Sequence, residues 1–278
     1  MDRIFSVAAL QSKPQKTLDA NLNQVQALLV EAAQQGANMV VLGENFAYHG
    51  QSDVYSIGQA EATPNGPVRQ FLSKQAKQLG LWIIGGTIPV LESSQLKPYA
   101  RSLIYNPEGH CAGQYDKIHL FDALVQAEAV KRGYCESDFY GSGSSLTTLK
   151  TDHCNLGLSI CYDLRFSELY QQLCQRKAEL VAVPSAFTAA TGVDHWRVLL
   201  RARAIENQFF VVGANLVDRD HQSRALWGGS AIVDPWGTVL ASLDDKIGVA
   251  IADIDLSLLQ KVRHKMPMHK HRNLSVGD

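Results

Sequence analysis

Polar and apolar positions along this chain follow two alternating rhythms. Leu18, Leu22, Val25, Leu29 and Ala32 recur at helical spacing, opened by Thr17 as a helix cap and stopped near Gly36. A second stripe of Val68, Phe71, Leu72, Ala76 and Leu79 starts at Pro67 and stops at Gly80, the usual placing of proline inside the first turn and glycine past the last. Between the stripes lie short apolar runs without polar alternation, such as Met39 to Leu42 and Leu81 to Ile84. Strands of that kind are buried on both faces and belong to a sheet covered by helices.

The rhythm repeats within the chain. The run from Ala37 to Phe46 matches that from Ala178 to Phe187, Ile83 to Thr87 matches Val211 to Asn215, and Ser102 to Gly109 matches Ser230 to Gly237. The last pair shares an Asn/Asp-Pro-x-Gly turn that joins two strands. The last two matches share one offset, and the first has a larger one that differing loop lengths explain. Each half reads strand, helix, strand, helix, strand, strand. This predicts an α/β fold: a four-layer α-β-β-α sandwich of two pseudo-symmetric halves, forming a single domain over residues 1–278.

Composition narrows the class of partner. A formal net charge of -1 over 278 residues gives no basic field to gather nucleic acid or an anionic membrane, so a small substrate is expected. No apolar run reaches the roughly 20 residues needed to span a bilayer, and the opening Met1-Asp2-Arg3-Ile4 is not built like a secretory signal. A cytoplasmic protein is expected. The five cysteines are odd in number and lack CxxC pairing, which argues for free thiols rather than disulfides or a zinc knuckle.

Candidate chemistry sits where buried strands end. Cys161 follows the apolar run Leu158-Ser159-Ile160 and precedes the polar, helix-starting Tyr162-Asp163-Leu164-Arg165. A thiol at such a junction is expected to have a lowered pKa, because unpaired backbone N–H groups and the helix dipole favour the thiolate. Glu44 ends the run from Met39 to Gly43 in apolar surroundings that would raise its pKa toward neutrality. Spacing alone leaves it open whether Glu44 exchanges protons, caps a helix or makes a structural ion pair. Lys117 lies among Ile118 and aromatic residues in a run read as a strand, though a surface lysine is the default. Thiol, carboxylate and ammonium together suit amide hydrolysis through a thioester, needing neither metal nor organic cofactor. His195 is a rival base for the thiol, and the His-rich basic segment 261–272 lacks the carboxylates or cysteines of a metal set.

Three motifs, Gly43-Glu44-Asn45-Phe46, Tyr115 to Phe121 and Ile160 to Leu169, resemble the nitrilase superfamily of carbon-nitrogen hydrolases in their Glu, Lys, Cys order, and the similarity runs from about Ile4 to Arg272. The resemblance implies the α-β-β-α sandwich, often as a homodimer. It makes Glu44 the general base, Lys117 the oxyanion lysine, Cys161 the nucleophile and Glu136 the second glutamate that positions the lysine and substrate. Two departures stand out: Gly43 and Ser167 replace prolines usual in the family.

Within the superfamily, Pro184 to Phe187, Thr191 to Trp196 and Leu199 to Asn207 resemble amidases of glutamine-like substrates. They lean toward the branch acting on deaminated glutathione, with omega-amidases of 2-oxoglutaramate as the alternative. The implied partners are a small amide and water. Tyr162, Arg165, Phe187 and Thr188 are expected near the pocket, Arg165 as the cation for a substrate carboxylate. A salt bridge from Arg165 to Glu168 and simple packing of Phe187 remain open. So do a nitrile or N-carbamoyl substrate and a catalytically silent binding protein of the same fold.

Overall fold

The computed structural model describes residues 4–123, 134–221 and 224–273. The first sheet contains β1 (Ile4–Gln11), β2 (Met39–Val41), β3 (Trp82–Ile84), β4 (Ile88–Val90), β5 (Tyr99–Tyr105) and β6 (Cys111–Asp116). The second contains β7 (Thr148–Lys150), β8 (Asn155–Leu158), β9 (Leu180–Ser185), β10 (Phe210–Asn215), β11 (Ala231–Val233) and β12 (Val239–Ser242). A last long strand, β13 (Gly248–Asp255), returns to the first sheet and pairs antiparallel with β1 over its whole length.

The two halves have the same topology. β1, β2 and β3 run parallel with β5 antiparallel beside them, just as β8, β9 and β10 run parallel with β11 antiparallel beside them. The repeated Asn/Asp-Pro-x-Gly segments close equivalent turns: the Gly109 N–H donates to the Asn106 carbonyl at 2.8 Å and the Gly237 N–H to the Asp234 carbonyl at 3.0 Å. Both glycines have φ near +85° (84 and 88), a conformation in which a side chain would be strained.

Why the strands lack polar alternation is plain from their two faces. Val7 and Ala9 of β1 face the second sheet, while Ala8 and Leu10 face the helices α1 (Leu18–Gln34) and α3 (Pro67–Leu79). A short α2 (Val54–Ala60) lies between them in sequence. On the far side α4 (Ser167–Gln175) and α5 (Ala189–Asn207) cover the second sheet, with Trp196, Leu200 and Ala204 of α5 fully buried. The four-layer sandwich expected from the sequence is the observed architecture. The helix boundaries follow the predicted caps: the Thr17 hydroxyl accepts from the Ala20 N–H, Pro67 opens α3, and Gly80 ends it in the left-handed region. The returning strand β13, the helix α2 and the helix α6 (Leu256–Lys265) lie outside the repeated pattern.

Candidate active site

Strand ends of the two halves meet at one cavity. Glu44 follows β2 and reaches the end of β9, where its N–H donates to the Ser185 carbonyl and its Oε2 accepts from the Ala186 N–H at 2.9 Å. This segment is tightly boxed. A Cβ on Gly86 would lie 2.1 Å from the Gly43 carbonyl, and one on Gly43 would lie 2.7 Å from a Leu216 methyl. Gly43 therefore stands where a ring could enter only if Leu216 moved.

Lys117 sits one residue past the end of β6 rather than within a strand, 1% exposed. Its ammonium donates to Glu44 Oε1 at 2.7 Å and to Glu136 at 2.9 and 2.7 Å. Glu136 opens a short 3₁₀ turn (Glu136–Asp138) and also accepts from the Phe121 N–H at 2.7 Å. One lysine thus answers two buried carboxylates, an arrangement in which the acids share its charge unequally. Burial pushes both carboxyls up; for Glu44 the Lys117 charge and hydrogen bond outweigh burial and hold it below the usual range, while Glu136 stays above it. The upward shift expected for Glu44 from its apolar neighbours is corrected by a cation that comes from 73 residues away in sequence.

Cys161 opens a 3₁₀ turn (Cys161–Arg165), and α4 starts only at Ser167. The expected thiol at the head of an α-helix is replaced by a tight elbow with Cys161 at φ +46°, a left-handed conformation that places a non-glycine residue under strain. The thiol shares the cavity wall with Glu44 and Lys117, near enough for both charges to act on it. Burial and the neighbouring Glu44 charge push its pKa up, against the lowering expected from the sequence, so the resting group is a neutral thiol beside an ionised carboxylate.

The elbow is held by a residue that the sequence reading did not single out. Asp163, fully buried, accepts from the Ile160 N–H at 2.9 Å, the Tyr115 hydroxyl at 2.8 Å, the His119 N–H at 2.9 Å and the His119 Nδ1 at 2.7 Å. Tyr115 and His119 flank Lys117, so one carboxylate ties the thiol's turn to the lysine's segment. From the other side Arg203 of α5 donates to the Leu164 carbonyl at 2.9 Å.

Glu44, Lys117, Glu136 and Cys161 all line a cavity of about 230 Å³, joined there by Tyr162, Arg165, Phe187 and Thr188. The Arg165 guanidinium lies over the Tyr162 and Phe187 rings, at 5.7 and 5.3 Å, and pairs with His195 Nδ1 at 3.1 Å rather than with Glu168. Phe187 also packs on Trp196, and Thr188 stands at the N-terminal boundary of α5 with its hydroxyl 3.1 Å from that of Thr191. His195 faces Arg165 and does not line the cavity with Cys161. His49, Thr87, Tyr140 and Arg224 complete parts of the wall that no local pattern marked. Among the described residues, no group of three His, Cys, Asp or Glu could hold a metal, and no helix is long and apolar enough to cross a membrane.

Comparison with known proteins finds relatives over nearly the whole chain. The carbon-nitrogen hydrolase family matches residues 6–264. An omega-amidase NIT2 of Mus musculus is 38% identical over 273 residues, covering 98% of this chain and 96% of that protein. A deaminated glutathione amidase of Synechocystis is 37% identical over 276 residues, covering 96% and 98%. Among solved structures, the NitFhit protein of C. elegans superposes with a TM-score of 0.89 at 33% identity; the match covers 98% of this chain and 66% of that longer one. Saccharomyces cerevisiae Nit3, a member of the nitrilase superfamily, superposes with a TM-score of 0.85 at 29% identity, covering 98% and 97%.

Proposed function

We infer the reaction from one premise: the chain belongs to the carbon-nitrogen hydrolase family and is an amidase. Glu44 takes the Cys161 proton as the sulfur attacks the amide carbon. The Lys117 ammonium and the Tyr162 backbone N–H stabilise the developing oxyanion. As the C–N bond breaks, Glu44 returns the proton to the departing nitrogen, leaving a thioester on Cys161. Glu44 then draws a proton from water, whose oxygen attacks the thioester, and the free acid leaves as the thiol is restored. Glu136 holds Lys117 charged and aimed. The observation that carries this reading is that sulfur, carboxylate and ammonium, delivered by three separate strand ends, meet at one cavity.

The substrate is a 2-oxo acid amide, with deaminated glutathione the first choice and 2-oxoglutaramate the second; both readings are supported by relatives at 37% and 38% identity bearing those activities in their names. Arg165 takes the carboxylate of the acyl half, with Tyr162, Phe187 and Thr188 shaping the wall around it. The protein is a single domain over residues 1–278, cytoplasmic and homodimeric. The exposed Val198 and Ile205 lie on one side of α5, and the turn that carries the exposed Trp236 abuts Ile205 through Gly237; together they offer an apolar face for a second copy. Release of the 2-oxo acid from each substrate, measured with the wild type and with Cys161→Ala, tests the reading. Turnover by the wild type alone and an acyl adduct on Cys161 by mass spectrometry are expected. Activity retained in Cys161→Ala would sink it.

A further inference from the structure

Arg165 is oriented by a partner that brings no charge of its own. It ends the turn that carries Cys161, half-buried at the cavity wall, and its Nη1 lies 3.1 Å from Nδ1 of His195 on α5. A guanidinium can only donate, so the imidazole nitrogen accepts and the ring is neutral, with its proton on Nε2. The guanidinium also lies over two rings, Tyr162 at 5.7 Å and Phe187 at 5.3 Å. His195 itself is exposed and stands outside the cavity lining.

That pairing has an electrostatic consequence. A carboxylate partner such as Glu168, three residues along, would hold the guanidinium but cancel its charge before any substrate arrived. A neutral acceptor and two ring faces fix the direction of the guanidinium and leave its positive charge to a ligand. The place of His195 is itself pinned. The next residue, Trp196, is fully buried and donates its indole N–H to the Gly229 carbonyl at 2.7 Å. Phe187 packs on the same indole, with ring centroids 4.8 Å apart, so one buried side chain sets both the imidazole and one of the rings that hold Arg165.

Resting on the reading of Arg165 as the cation for the acyl carboxylate, we propose that His195 is the positioning residue of that cation. Its neutral Nδ1 aims the guanidinium and leaves the charge for the substrate. This role is separate from that of a base for Cys161, since His195 does not line the cavity with the thiol. Its contribution is to selectivity for anionic over neutral acyl groups. A carboxylate remote from the reacting bond is held alike before and during the reaction, so the effect enters through KM.

The test uses deaminated glutathione and 2-oxoglutaramate, each against an analogue in which a methyl group replaces the carboxylate of the 2-oxo acid half. The quantity read is the ratio of kcat/KM for the acid to that for its neutral analogue, on whichever pair is turned over faster. His195→Leu is expected to lower the ratio by on the order of 10-fold, the worth of one hydrogen bond to a charged group, with the change in KM. His195→Asn, which keeps an acceptor at similar reach, should restore most of it. Arg165→Gln should lower the ratio too, and adding His195→Leu to Arg165→Gln should lower it no further. A ratio that falls in Arg165→Gln but holds in His195→Leu, an equal fall in His195→Leu and His195→Asn, or additive losses in the double variant would overturn the positioning role alone. A ratio that holds in Arg165→Gln would overturn the reading of Arg165 as well. Failure of the wild type to cleave any of the four compounds, with no acyl adduct on Cys161, would instead overturn the amidase reading.

Discussion

Asp163→Asn puts the elbow itself to the test. The side chain is fully buried and each of its oxygens accepts two hydrogen bonds, Oδ1 from the His119 N–H and Nδ1, Oδ2 from the Ile160 N–H and the Tyr115 hydroxyl. Asparagine keeps one acceptor and places an NH₂ where the other stood. The Tyr115 hydroxyl can rotate to accept and His119 can change tautomer, but a backbone N–H, of Ile160 or of His119, must then face another donor. One orphaned buried donor costs about 1–3 kcal/mol, and the loss of charge on the remaining acceptor brings the expected destabilisation to about 2–4 kcal/mol. The strained φ of +46° at Cys161 has less to hold it, and a displacement near 1 Å of a reacting group lowers rate by on the order of 100-fold. Urea unfolding reads the first effect and steady-state kinetics the second, with kcat falling much more than KM rises. If the variant unfolds within about 0.5 kcal/mol of the wild type and keeps its kcat, Asp163 does not position the thiol.

Three further outcomes are expected. The folded-state pKa of Cys161 lies above its ordinary value, so the native chain holds a proton that the unfolded chain has lost; that contribution to stability is complete below the ordinary thiol range and is lost as pH rises through the folded value. Urea unfolding from pH 8 to 10 should accordingly show a steeper alkaline decline for wild type than for Cys161→Ala, and parallel curves would contradict the assignment. Ser167 is the first residue of α4 and follows Phe166 in extended conformation (ψ 96°), a setting that suits proline, so Ser167→Pro should raise stability by about 0.4–1 kcal/mol with activity kept; a loss in thermal unfolding would show the site to be incompatible. Val198→Glu, on the exposed face of α5, should convert a dimer to monomers by sedimentation without changing helix content, whereas an unchanged assembly state would remove that face from the interface.

Much of the fold was legible along the chain because its causes are local. Helical stripes, caps such as Thr17 and Gly80, and doubly buried strands report which faces need covering, and the matched runs in the two halves exposed the repeated topology. The strand β13 escaped because nothing in its own sequence says that it pairs with β1, at the other end of the chain. In the site, Glu44, Lys117 and Cys161 could be picked out as polar residues at the ends of apolar runs, and the family resemblance added Glu136. Asp163, His49 and Arg224 carried no such signal.

The sequence by itself determined the layers, the repeat and the three candidate side chains at strand ends, since these follow from periodicity and residue chemistry over a few neighbours. Only the tertiary structure decided their charge states and partners. Glu44 is held low and Cys161 high because Lys117 and Glu44 arrive from distant segments into a dry space, where Coulomb terms and burial compete at close range. The contest depends on distances of about 3 Å between groups far apart along the chain, and no local pattern encodes those distances.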